Sequence, residues 1–390
     1  MTRIGPHPLT MDRRPGKEGP IALAERVLRL LDEASFTATY KYAVLLALLD
    51  LCMEKVAKDG HPAEVFTTRE LAEKILQLYW DHTLPFHSGA RSQVLRQFAG
   101  PPGSQAKIIR HIAEFRSRHA RDPSLRLEVA RRLAPDAYER LVRRVEWEII
   151  EDPLPRLQQI GGRTEAFLYT INWGIGISRR EVSAYQRGDP GDFDNRVILQ
   201  PGVGFLLVQL NGLLRPLIQR KWAEMVARLN ELEEARLEKF LFGAAREAVV
   251  ALQGPLQELQ NGRCFYCGRS LGRSPGWRPQ VDHFIPWSRY PNNAVENLVV
   301  ADEGCNARKA DYLAATPHLG RWRERFEPGS PVASQLAEVA SNLRWEGNAD
   351  RSLSIARAVY FPLPEGYPLW LKAKEFEWLD PESVWRLLSG

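Results

Sequence analysis

Three of the four cysteines of this 390-residue chain, Cys264, Cys267 and Cys305, fall in one short region, and the first two form a C-x-x-C pair. So few thiols cannot staple a chain of this length as a disulfide framework. Clustered in this way they read as metal ligands in a reducing compartment. The region around them, 259–315, is dense in Gly, Pro and Arg, with short apolar runs. It reads as a small module in which the cysteines bind a metal. Cys52 lies apart, on an apolar helical stretch, and reads as core.

The flanks have a different pattern. Residues 1–20 are rich in Pro, Gly and Arg and read as a disordered tail. IALAERVLRLLDEA, TYKYAVLLALLDLCMEKVAKDG and TTRELAEKILQLYW follow with helical spacing. Gly60 is expected to end the second, and Thr67 with Glu70 to form a capping box on the third. The third helix reads either as a DNA-recognition helix or as part of a plain bundle. These helices make a domain over 21–100. A second region, 101–258, begins after GPPG. It carries an Arg-rich stretch, 107–144, with eleven Lys/Arg against five acids, a surplus of six. The whole chain carries +5, so the rest is close to neutral. EAFLYTINW and NRVILQ form a small β-rich insert, and a long helical stretch from about Gly204 to Glu258 should be kinked or split at Pro216 and interrupted at Gly243. The module occupies 259–318. Residues 319–390, with five tryptophans, read as a C-terminal helical region whose tryptophans belong to the core. The fold class expected is mostly α and multidomain, with the small module embedded near the C-terminus.

Charge and hydropathy limit the partners. A pI near 9.0 permits a polyanion without demanding one. No secretory signal is visible, and the longest apolar stretch, Tyr42 to Met53, is interrupted by Asp50 and too short to span a bilayer. The expectation is a cytoplasmic protein with no membrane partner; a protein partner or homo-oligomer is left open. Gly202 and Gly204 form a lone G-x-G without a P-loop lysine, a very weak motif.

The chemistry concentrates in CFYCGRSL…RPQVDHFIPWSRYPNNAVENLVVADEGCNARKAD. Asp282 and His283 are adjacent on a short apolar strand. Neighbours on a strand face opposite ways, so the pair can serve one target only where the strand ends or twists. Asn297 precedes a second apolar run, and Asn is poor in strands, so it is expected to bond a neighbouring loop. Asn306 and Lys309, three apart, share one face of a following helix. The order is strand, loop, strand, helix.

These residues resemble the HNH nuclease signature over about 264–318. The resemblance implies a ββα-metal fold. Asp282 and Asn306 would hold one Mg²⁺ or Mn²⁺ ion, His283 would be the general base, Asn297 would pin the loop behind the histidine, and Lys309 would sit near the phosphate. The gaps between His283, Asn297 and Asn306 are also similar to those of the HNH domain in RNA-guided effector nucleases. HNH proteins often carry two C-x-x-C pairs. Here the second keeps Cys305, with Asp302 at the partner position. A structural Zn²⁺ would then be held by Cys264, Cys267, Asp302 and Cys305, with His318 as the alternative fourth ligand. The residue types suit the reaction, since phosphodiester hydrolysis needs a water nucleophile, a base and a cation to absorb charge.

The function expected is a one-metal, His-base DNA endonuclease, with bacterial restriction or anti-phage defence as the setting by analogy. The alternatives are a zinc-stabilised nucleic-acid-binding protein without catalysis and a nuclease directed at RNA. Trp287, Arg289 and Arg308 are candidates for touching nucleic acid beside the centre. Arg131, Arg132, Arg143 and Arg144 are candidates within the Arg-rich stretch, where a solvated surface is the competing reading.

Overall fold

The structure, a computed structural model, describes residues 19–33, 37–88, 91–101, 103–189, 191–233, 237–243, 249–271 and 278–390. The reading of a tail over 1–20 falls outside these residues except at its last two. Helix accounts for 55% of the described residues, which makes the protein mostly α.

Two helices organise the body. Tyr40–Glu54 buries thirteen of its fifteen residues, because it is apolar on nearly every side. It packs along Val203–Asn230, the longest helix. That helix runs through Pro216 without splitting, and Gly243 closes the separate short helix Leu237–Phe242. The first long helix stops at Glu54, earlier than Gly60. Residues 55–63 instead fold back, with Val56 bridging Pro62 and Gly60 at φ +79° in the turn. The helix Pro20–Glu33 covers the long helix on another side.

Helix Thr68–Trp80 opens on the expected capping box. The Thr67 N–H donates to Glu70 Oε2 at 2.8 Å, and the Glu70 N–H donates to Thr67 Oγ1 at 3.2 Å. Just before it, Val65–Thr67 pairs antiparallel with Arg196–Leu199, which pairs antiparallel with Tyr169–Ile171. The β-rich insert is thus a three-stranded sheet that borrows a strand from the N-terminal region. The Arg-rich stretch folds into Lys107–His119, Leu127–Leu133 and the start of Pro135–Glu151, packed against Thr68–Trp80.

The C-terminal region departs from expectation. Helices Thr316–Glu324, Pro331–Asn342, Ala349–Tyr360 and Pro381–Ser389 are present. Between the last two, Pro368–Lys372 and Glu375–Trp378 form an antiparallel hairpin rather than helix. Its first strand lies beside the last residues of the module, with Trp370 N–H donating to Leu313 O at 2.8 Å. Trp322, Trp345 and Trp370 are buried as expected, whereas Trp378 is exposed.

One buried apolar cluster runs from Leu23 to Leu388, so the regions separated by sequence share a continuous core. Among the described residues no helix is long and apolar enough to cross a membrane.

Candidate active site

The cysteine pair sits in a tight knuckle. Gly268 N–H donates to Cys264 O and Cys264 N–H donates to Arg269 O, both at 2.9 Å. Gly268 holds φ +71°, a backbone state glycine enters without steric cost, and this lets the chain turn straight after Cys267. Phe265 N–H donates to Val300 O at 2.9 Å, which fixes the knuckle to the second strand of the module. Strands Pro279–His283 and Leu298–Asp302 pair antiparallel with Val281 opposite Val300, and helix Glu303–Lys309 follows at once. That is the ββα order expected.

Cys264, Cys267 and Cys305 come together, their sulfurs all within 4.8 Å of one another. Tetrahedral zinc with Zn–S near 2.3 Å needs sulfurs ~3.8 Å apart, so the group fits a zinc ion with modest closure. Asp302 N–H donates to Cys264 Sγ at 3.3 Å. The Cys305 thiol bonding to the Cys264 sulfur, helped by such backbone donors, holds Cys264 down at about 5 and pushes Cys305 up. A thiolate stabilised in this way is the ligand form zinc takes.

The two expected fourth ligands are engaged elsewhere. The Asp302 carboxylate caps its helix, accepting from Gly304 N–H at 3.0 Å, and does not belong to the sulfur group. His318 bonds Leu371 O through Nε2 at 2.6 Å and stacks on Trp370, and burial pushes its imidazole down. An aspartate at the start of a helix is a strong N-cap.

Asp282 and Lys309 meet. The Lys309 ammonium is fully buried, 3.0 Å from Asp282 Oδ2, and donates to His283 O at 2.9 Å. Tyr266, from the cysteine knuckle, donates its hydroxyl to the same Asp282 oxygen at 2.6 Å. Burial and the neighbouring carboxylate push the Tyr266 phenol well up, so it stays a donor. The Lys309 ammonium thus lies inside the segment rather than at its surface. It braces the acid and the end of the strand from inside.

His283 sits at the strand end. Its Nε2 lies 2.8 Å from Asn293 Oδ1, and its ring meets Trp287 edge-on at 5.2 Å. Asn297 is completely buried and ties down the intervening loop. Its Oδ1 accepts from Ile285 N–H at 2.8 Å, and its Nδ2 donates to Ile285 O at 3.2 Å and Asn292 O at 3.0 Å. Asn306 donates from Nδ2 to Gln280 Oε1 at 2.8 Å. Gln280 and Asp282 are two apart on a strand and share a face, so Asn306 packs on the same face as Asp282. Its amide oxygen and the second Asp282 oxygen, Oδ1, are the donors available there for a divalent ion.

The loop between His283 and Asn297 is held by both flanks. From the N-terminal side, Tyr290 donates to Glu54 Oε1 at 2.7 Å, and Asn211 donates to Arg289 O at 3.0 Å. From the C-terminal side, Trp345 Nε1 donates to Asn293 O at 2.6 Å, and Asn292 donates to Ser352 Oγ at 3.2 Å. The side chain of Arg289 donates to the Tyr367 hydroxyl at 2.8 Å rather than standing free, whereas Arg308 is exposed.

Several of the cations in the Arg-rich stretch are paired. Arg144 pairs with Glu114 at 2.8 Å and Arg143 with Glu139 at 3.1 Å, and Arg131 lies over the Tyr138 ring. Arg132 is exposed on the helix Leu127–Leu133.

Residues 264–315 match the family model of HNH endonucleases. The match covers the knuckle, both strands and the helix, a segment of the chain rather than its whole length. No curated protein and no solved structure matches the chain. The segment is thus nuclease-type, and HNH domains bind metal ions. Three residues of this HNH segment escaped the sequence reading. Tyr266 stands between the two cysteines, Gln280 stands two before Asp282, and Asn293 is the second asparagine of PNN. Only strand periodicity could have singled out Gln280. The other two depend on contacts made across loops.

Proposed function

We propose that the protein is a metal-dependent endonuclease that hydrolyses DNA phosphodiester bonds with His283 as general base. The observation that carries this reading is the pairing of His283 with Asn293 within a segment matched to HNH endonucleases. A carbonyl oxygen facing Nε2 favours the tautomer with the proton on Nε2. Nδ1 then carries the lone pair that takes a proton from water. As the water oxygen bonds to phosphorus, its proton passes to Nδ1, the opposite phosphorus–oxygen bond breaks, and the departing 3′-oxygen takes up a proton from solvent, leaving 5′-phosphate and 3′-hydroxyl ends.

A divalent cation, Mg²⁺ or Mn²⁺, held by Asp282 and Asn306 would supply charge stabilisation at the phosphate. Tyr266 and Lys309 both contact Oδ2 of Asp282, which leaves Oδ1 as its ligand atom. Zinc on Cys264, Cys267 and Cys305 would hold the knuckle that delivers Tyr266. Asn297 keeps the loop bearing Asn293 in register with His283.

The test is incubation of the full chain with supercoiled plasmid in Mg²⁺ or Mn²⁺, with EDTA as the control. Metal-dependent nicking or linearisation is expected. Intact plasmid under all metals, with duplex still bound, would favour a zinc-stabilised binding protein instead. Cleavage of RNA in preference to duplex would move the substrate to RNA.

A further inference from the structure

A cavity with a volume of about 590 Å³ lies away from the HNH segment. It opens between helices Lys107–His119 and Pro135–Glu151 and the start of Arg179–Arg187. Arg110, Arg144 and Arg179 reach it from three different helices, with His111 beside them and Trp147 in its wall. A smaller cavity of about 70 Å³ adjoins it and adds Arg118 and Arg140.

The charges at this cavity are not balanced. Glu114 is shared by Arg144 at 2.8 Å and Arg118 at 2.9 Å, and Glu148 is shared by Lys107 at 3.0 Å and His111 at 3.3 Å. Among the described residues Arg110 and Arg140 have no ion-pair partner. Arg179 has none either, and lies over the Trp147 ring at 5.3 Å. A guanidinium laid on an aromatic face keeps its N–H edge pointing outward, the geometry that takes two oxygens of a phosphate at once. Arginines lining one cavity repel one another where acids do not fully offset them, and a bound anion relieves that repulsion.

We infer that this cavity is a binding site for a nucleoside polyphosphate, separate from the nuclease centre. Inorganic phosphate would fill little of about 590 Å³, which lies in the range of ~300–1,000 Å³ typical for small-molecule sites. A nucleoside bearing two or three phosphates matches both the volume and the number of unpaired arginines. A straight duplex would ride over the rim of a concavity set between helices and touch few of its walls.

The experiment is isothermal titration of the full chain with ATP, pyrophosphate and inorganic phosphate. EDTA keeps the metal-dependent centre inactive, and salt near 0.15 M, with a screening length of ~8 Å, suppresses diffuse attraction. ATP is expected to bind with Kd below ~1 mM and more tightly than inorganic phosphate. Arg110→Ala with Arg179→Ala should weaken ATP at least ~10-fold, because each charge-assisted hydrogen bond lost is worth about that factor. Arg220→Ala, which removes an exposed charge elsewhere, should leave binding unchanged. Absence of binding by any of the three anions, or equal weakening by Arg220→Ala, would overturn the inference. So would a single-stranded oligonucleotide that displaces ATP and binds more tightly with the same dependence on Arg110 and Arg179, which would make the furrow a nucleic-acid surface.

Discussion

Replacing Lys309 by Met separates the two roles that a lysine beside a nuclease centre can have. Its ammonium is fully buried, 3.0 Å from Asp282 Oδ2 and 2.9 Å from His283 O. Methionine fills similar volume without the charge, so the Asp282 carboxylate keeps Tyr266 but loses its cation, and the His283 carbonyl loses a donor. Removing one partner of a buried ion pair costs about 3–5 kcal/mol. At ~2.1 cal/mol/K per residue, a chain of this length unfolding in one step has an unfolding entropy of ~0.8 kcal/mol/K, so the melting temperature should fall by about 4–6 °C. Calorimetry in EDTA reads this without any contribution from the catalytic ion. A solvent-facing lysine that contacts phosphate would change stability by no more than ~0.5 kcal/mol, under about 1 °C. An unshifted melting temperature for Lys309→Met, with weakened DNA binding, would refute the bracing role.

Three further outcomes follow from particular contacts. Asp302→Ala should retain zinc by elemental analysis while costing about 0.5–2 kcal/mol of stability, since the side chain caps a helix; loss of the metal would make it a ligand after all. Burial pushes the His82 imidazole down from 6.5 to about 4, so it is held neutral in the folded protein. The unfolded chain takes up that proton first. On the order of 3 kcal/mol of stability should therefore be lost as pH falls from about 6.5 to about 4, and His82→Asn should flatten that part of the profile; an unchanged slope would remove His82 as the cause. The isolated segment 258–320 should show no cooperative melting, because the loop after His283 is bonded to Glu54, Asn211, Trp345 and Ser352, all outside it. A sharp transition from that fragment would show that the flanks are dispensable for folding.

What could be read from sequence was what local rules encode. The capping box at Thr67 and Glu70, the buried helix around Leu45 and the strand–loop–strand–helix order around His283 all rest on neighbours within a few residues. The hairpin at Pro368–Trp378 was missed because PLWLK is apolar enough to pass for either a strand or a buried helix, and its pairing with Leu313 is not local. The strand Val65–Thr67 was missed for the same reason, since its partner lies beyond residue 195. In the candidate site, the residues that carry polar chemistry were legible, but their directions were not. Sequence places Lys309 on a helix face without showing that Tyr266 and Asp282 close over it, and Asp302 beside Cys305 without showing that one of its oxygens accepts from Gly304 N–H. Asn293 became visible only once Trp345 and Asn297 had set the loop beside His283.

The role of His283 is tested most directly by His283→Ala in the full chain, assayed for plasmid cleavage in Mg²⁺ and Mn²⁺ beside wild type. Circular dichroism, melting temperature and zinc content serve as controls for an intact fold. Loss of a general base typically lowers rate by about 10²–10⁴. The expected result is a folded, zinc-loaded variant that still binds duplex and cuts it slower than wild type by that factor. Wild-type cleavage by well-folded His283→Ala protein would contradict the assignment of the base and, with it, the proposed chemistry of the site.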